Sequence, residues 1–95
     1  MNTYVILRRS AWPSKDHLKS AAERSAQVAR QDFAGRVRWI RSYVLNEAQQ
    51  RLGTVCIYQA TDPEAIRAHA RKADLPVDEI IQVANVVVMQ PDPVE

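Results

Sequence analysis

The pattern of apolar and polar positions divides the chain into six segments. Thr3 to Arg9 (Thr-Tyr-Val-Ile-Leu-Arg-Arg) is rich in β-branched and aromatic residues and predicts a first strand. Ser10 to Pro13 reads as a connection. The period then changes: Leu18, Ala22, Ser25, Ala29 and Phe33 recur at steps of three and four, with Ala21 and Val28 beside them. This predicts a helix with Ser14 as N-cap and Asp16 favourably placed in the first turn. Its inner stripe is built from small residues, so it approaches a sheet closely but buries little area per residue. Gly35 suits the helix end. Val37 to Leu45 and Thr54 to Ala60 predict two strands joined through a polar turn, Asn46 to Gly53. Thr61-Asp62-Pro63-Glu64 starts a second helix, with a cap, an early proline and an acid. Its stripe is Ile66, Ala70 and Ala73, and Asp74-Leu75-Pro76 stops it. Glu79 to Val88 predicts a fourth strand. Gln90-Pro91-Asp92-Pro93 cannot continue a central strand.

The order β-α-β-β-α-β predicts an α+β ferredoxin-like sandwich. Residues 1–90 make a single domain and 91–95 a frayed tail. In this fold both helices cover one sheet face. Alternation gives each strand two sets of side chains. Val5, Leu7, Ile40, Val44, Val55 and Ile57 are expected against the helices. Tyr4, Ile6, Trp39, Tyr43, Cys56 and Tyr58 are then expected on the open face. So much apolar surface calls for cover. A second copy laid face to face would give a homodimeric α+β barrel.

Composition narrows the function classes. Ninety-five residues suit one domain. No apolar run approaches the roughly 20 residues of a membrane span, and the start of the chain lacks a signal-peptide pattern. A cytoplasmic location is expected. Cys56 is the single cysteine, so no intramolecular disulfide forms. The net charge is +2. Arginines are scattered among acids rather than gathered on one face, which argues against a nucleic-acid partner. Two glycines, Gly35 and Gly53, exclude a glycine-rich nucleotide loop.

The candidate ligand pocket is Trp39, Arg41, Tyr43, Cys56 and Tyr58. Aromatic rings beside a guanidinium suit a flat, anionic or aromatic small molecule. The plainer reading is interface packing, with Arg41 paired to an acid of the partner. Cys56 reads either as a small core residue or as a nucleophile or soft ligand. His69, one position off the second helix's stripe, reads as a boundary histidine bonded to backbone, or as a metal ligand or proton carrier. Glu64 reads as a helix-start acid, with a metal-ligand role as the alternative. It lies on another face of the helix from His69, so the two do not readily chelate one ion. His17 is expected in solvent. Arg8 and Arg9 are expected to flank the strand end as solubilising charges.

One further pattern runs through Trp39, Ser42-Tyr43-Val44, Cys56-Ile57-Tyr58, Pro63-Glu64-Ala65-Ile66-Arg67-Ala68-His69-Ala70, Leu75-Pro76 and Ile80. This series resembles a family of small bacterial domains of unknown function, typified by the nickel-responsive, nickel-binding protein of streptomycetes. The resemblance covers about two-thirds of the chain and implies the same ferredoxin-like dimer. It also implies a nickel-like divalent metal as cofactor. Family members commonly have histidine where this chain has Arg41, glutamate where it has Gln59 and glycine where it has Asp74. Arg41 and Gln59 thus replace potential ligands, and a fixed cation repels a metal.

Three function classes follow. The first is a small cytoplasmic binding protein, homodimeric, holding a metal ion or small ligand. The second is a dimeric barrel enzyme of monooxygenase, isomerase or dehydratase type, acting on an aromatic or enolisable substrate; it rests on fold analogy alone. The third is a regulatory module that binds another protein through a sheet edge.

Overall fold

The computed structural model describes residues 1–93. The elements are β1 (Asn2–Trp12), α1 (Lys15–Asp32), β2 (Val37–Asn46), β3 (Leu52–Ala60), α2 (Pro63–Lys72) and β4 (Glu79–Gln82), with a 3-10 turn at Ala48–Gln50 between β2 and β3. The sheet is antiparallel in the order β2-β3-β1-β4. With both helices on one face this is the α+β ferredoxin-like arrangement. No described helix is long and apolar enough to cross a membrane.

Local chemistry sets the helix ends. The Ser14 side chain accepts from the His17 N–H, and Asp62 accepts from Ala65 N–H at 2.8 Å. At the end of α2, Leu75 N–H reaches the Ala70 carbonyl and Asp74 N–H the Arg71 carbonyl. This is a Schellman ending, with Asp74 in the left-handed position at φ 56°.

In β1 and β3 the face assignment is the reverse of the expected one, whereas in β2 Val44 pairs with buried Thr54 and Tyr43 with open-face Val55, as expected. Tyr4, Ile6, Cys56, Tyr58 and Ala60 are buried with Ala65, Ile66, Phe33 and Val37 in the main core under the helices. Val5, Leu7, Val55 and Ile57 are half-buried on the other face. The reason is complementary size. The helices offer mostly small side chains, Ala21, Ser25, Ala65 and Ala70, and Tyr4, Ile6 and Tyr58 supply bulk above them.

Two irregularities re-aim side chains. In β2, Trp39 pairs with Tyr58 but Arg41 pairs with Ile57, so Ile40 is an extra residue. Trp39 therefore shares the helix face with Tyr58, whereas Arg41 and Tyr43 pair with open-face residues. In β1 the register shifts between Arg8 and Trp12, and Ser10 takes φ 47°. Glu47 holds this bulge: its carboxylate accepts from Ser10 N–H, from Ser10 Oγ at 2.9 Å and from Arg9 Nε. Arg9's hydrogen bond is the main cause that holds the Glu47 carboxyl below its usual range.

The fourth strand is shorter than the Glu79 to Val88 expected. Tyr4 pairs with Gln82, and Val83 N–H still reaches the Thr3 carbonyl. At that register β1, which begins at Asn2, runs out of partners. The chain leaves the sheet, and Val86, Val87, Val88 and Met89 stand 67, 81, 73 and 84% exposed. Of the tail expected to fray, Val94 and Glu95 lie outside the described residues. Asp92 is held at the open face by Arg41 and Tyr43.

Candidate functional site

The site follows from the small-residue stripe of α1. A second core cluster, Trp12, Ala21 and Leu52, closes one end of the sandwich. Between α1 and the edge strand β2 the stripe leaves a cavity of about 450 Å³. Its apolar walls include Trp12, Leu18, Trp39 and Leu75, and its polar groups include Arg8, Ser25, Ser42, Thr54, Cys56 and Tyr58. It opens where Trp39 and Val44 are exposed along β2.

Arg8 is the unexpected member. It continues the Tyr4, Ile6 face of β1 and is 1% exposed, not a solubilising charge at the strand end. Its Nη1 donates to Cys56 Sγ at 3.3 Å, and its carbon Cζ lies 6.0 Å from the centre of the Tyr58 ring. Nε and Nη2 are buried without a hydrogen-bond partner. Among the described residues no acid pairs with it. Burying a charge without a counter-ion is costly. Its spacing shows only that Arg8 shares a face with Tyr4 and Ile6; that this face is the buried one comes from the structure.

The neighbours of Arg8 are joined in a chain of hydrogen bonds. Cys56 Sγ accepts from Ser42 Oγ at 3.1 Å and donates to Thr54 Oγ1 at 3.4 Å. Trp39 Nε1–H donates to Ser42 Oγ at 2.8 Å, and the Trp39 ring stacks on Tyr58 with centroids 6.2 Å apart. Burial pushes the Tyr58 phenol up, against the pull of its Ser25 hydrogen bond and the Arg8 charge. Tyr58 OH lies 3.3 Å from Ser25 Oγ.

Of the five expected pocket residues, the structure brings Trp39, Cys56 and Tyr58 together. Arg41 reaches the cavity rim, but its guanidinium pairs with Asp92 and lies 3.5 Å from Tyr43 OH on the other face. The hydrogen bond to Tyr43, then the charge of Asp92, raises its pKa. Tyr43 stands outside the cavity, beside the chain end. The extra residue in β2 divides this group, and nothing in the composition of the strand announces a bulge. The cation in the cavity is Arg8 instead.

His69 and Glu64 are apart. His69 is fully buried, its Nε2–H donating to the Ser25 carbonyl at 3.0 Å. Nδ1 is buried without a partner. Burial pushes the imidazole pKa down. Glu64 is exposed and pairs with Arg67 at 2.7 Å. His17 is exposed, as expected. Among the described residues no three His, Cys, Asp or Glu side chains gather where they could hold a metal ion.

Comparison with known proteins agrees with this architecture. No curated protein matches the chain. The crystal structure of SCO4226 from Streptomyces coelicolor A3(2) superposes with a TM-score of 0.69, covering 90% of this chain and 99% of that one at 16% identity. At that identity the likeness speaks for the fold alone. The profile of the nickel responsive protein SCO4226-like family matches residues 4–83, most of the chain. The chain belongs to the SCO4226-like nickel responsive protein family.

Proposed function

We propose that the chain is a small homodimeric binding protein that holds an organic ligand in the cavity between α1 and β2. The observation that carries this reading is the buried Arg8 guanidinium at a cavity wall, with Nε and Nη2 lacking any hydrogen-bond partner. A cavity of about 450 Å³ with apolar walls and a few convergent polar groups has the size and lining of a small-molecule site. The lining has no carboxylate or imidazole among the described residues, which favours binding over acid–base turnover. The run Val86 to Met89 supports the dimer, because four exposed apolar residues in sequence call for cover.

The family's name makes nickel the other reading. Within one protomer the donor set does not fit a metal. His69 is committed to Ser25, Glu64 to Arg67, and Arg41 is a fixed cation paired with Asp92. The observations therefore favour an organic ligand.

Both tryptophans of the chain line the cavity, so intrinsic fluorescence reads it directly. Titration of the full chain with the neutral apolar probe N-phenyl-1-naphthylamine should quench Trp12 and Trp39 saturably at about one probe per chain. A Ser25→Phe substitution that fills the cavity should abolish the response. A linear, unsaturable response in the native protein would remove the reading.

A further inference from the structure

We infer that the ligand is a monoanionic organic carboxylate with a flat apolar body, its carboxylate taken by the Nε and Nη2 edge of Arg8. This rests on the cavity being a binding site and names the chemistry of what fills it.

Covalent geometry fixes what the Arg8 guanidinium can bind. A guanidinium presents its N–H groups in fixed pairs, and Nε with Nη2 makes one side-on edge that matches the two oxygens of a carboxylate. In this protein those two atoms are the ones left without partners, while Nη1 is engaged by Cys56. The unpaired edge therefore keeps both donors of a bidentate contact, not a remnant of a partly used fork.

Charge sets the valence. Arg8 is the buried cation of the cavity, the groups around it, Ser25, Ser42, Thr54 and Tyr58, are neutral, and Arg41 at the rim is already balanced by Asp92. One negative charge balances Arg8. A dianion such as a phosphate monoester would bring a second, uncompensated charge against largely apolar walls, at a cost the neutral hydroxyls do not repay. A neutral molecule would leave the guanidinium as it stands, buried and unpaired.

The walls set the body. Trp39 lies nearly parallel to Tyr58, with 18° between the ring planes. Trp12, Leu18 and Leu75 add apolar surface. Flat rings suit such walls, because stacking adds to simple burial. The ligand class is accordingly an aryl or similarly flat carboxylic acid.

Calorimetric titration of the full chain at neutral pH decides the matter, with 2-naphthoate, 2-naphthamide and naphthyl phosphate as probes. The naphthoate should bind at least tenfold tighter than the amide of the same shape and tenfold tighter than the phosphate. Arg8→Met should abolish the preference over the amide, and Arg8→Lys should lose most of it, since an ammonium cannot fork. Should Arg8→Met not fold, the charge preference of the native protein still decides. Equal affinity for naphthoate and naphthamide would overturn the carboxylate, as would tighter binding of the phosphate. If the neutral naphthylamine probe still saturates, the cavity stands as a site and only the ligand class falls. If no probe binds, both fall.

Discussion

His69 shows how one buried side chain couples the fold to pH. Its ring packs edge-on to Phe33 at 5.7 Å and tilted against Tyr58 at 5.9 Å, with Ser25 bonded to Nε2 and the Arg8 charge nearby. Burial, helped by the Arg8 charge and opposed by the Ser25 hydrogen bond, holds its pKa below the ordinary 6.5. Above that value neither the folded nor the unfolded chain carries the proton, and the full stability is present. As pH falls below 6.5 the unfolded chain takes up a proton that the folded one refuses, so stability is lost down through the folded pKa. The slope from one such group is at most about 1.4 kcal/mol per pH unit. Urea midpoints should fall from pH 7 to 5, and His69→Gln should flatten that part of the profile. Glu47 acts in a lower window: its depressed pKa gives stability that is present above about 4.5 and lost as pH falls further. An unchanged profile in His69→Gln would count against the coupling.

At the scale of elements, the chain ends and crossings carry the testable strain. A Cβ on Gly53 would stand 2.6 Å from the Arg8 carbonyl oxygen and 3.0 Å from Ser10 N, both backbone atoms that cannot swing away. Gly53→Ala should cost about 1–3 kcal/mol, lowering the melting temperature by roughly 4–8 °C per kcal/mol in a domain of this size. Asp74 is the opposite case, since a non-glycine residue holds φ 56° at the end of α2. Asp74→Gly should stabilise by roughly 0.5–1 kcal/mol, measured by urea unfolding. The helices were legible, because caps, prolines and a clear change of period mark their borders; the strand ends were less so, since β1 runs on to Trp12 and β4 stops at Gln82. The bulge at Ile40 was not, since β2 reads as an uninterrupted apolar and polar mixture on either side of it. Nor was the choice of sheet face. Both parities of β1 and β3 are apolar, so alternation offers no polar contrast to decide between them. The alanine-lined helices decide it, by leaving room for tyrosines and, in the same row, for Arg8.

The whole molecule is left with an unfinished surface. The open face carries Val5, Leu7, Val55 and Ile57, half-buried, and Ile81, which is exposed. The chain after β4 crosses toward β2, where Asp92 meets Arg41 and Tyr43. That crossing covers part of the sheet but turns Val86 to Met89 outward. A second copy laid on this face would bury both the run and the remaining sheet at once, and an interface that pairs identical patches closes as a two-fold dimer. Light scattering of the full chain should therefore give twice the 10.8 kDa of one protomer. Val87→Asp, at an exposed position, should leave folding within about 0.5 kcal/mol of the native value and weaken association at least tenfold. Asp92→Asn should weaken it less, because it loosens the crossing without placing a charge in the interface. A single protomer mass at high concentration, with Val86 to Met89 open to water, would mean that the surface is finished by something other than the chain itself.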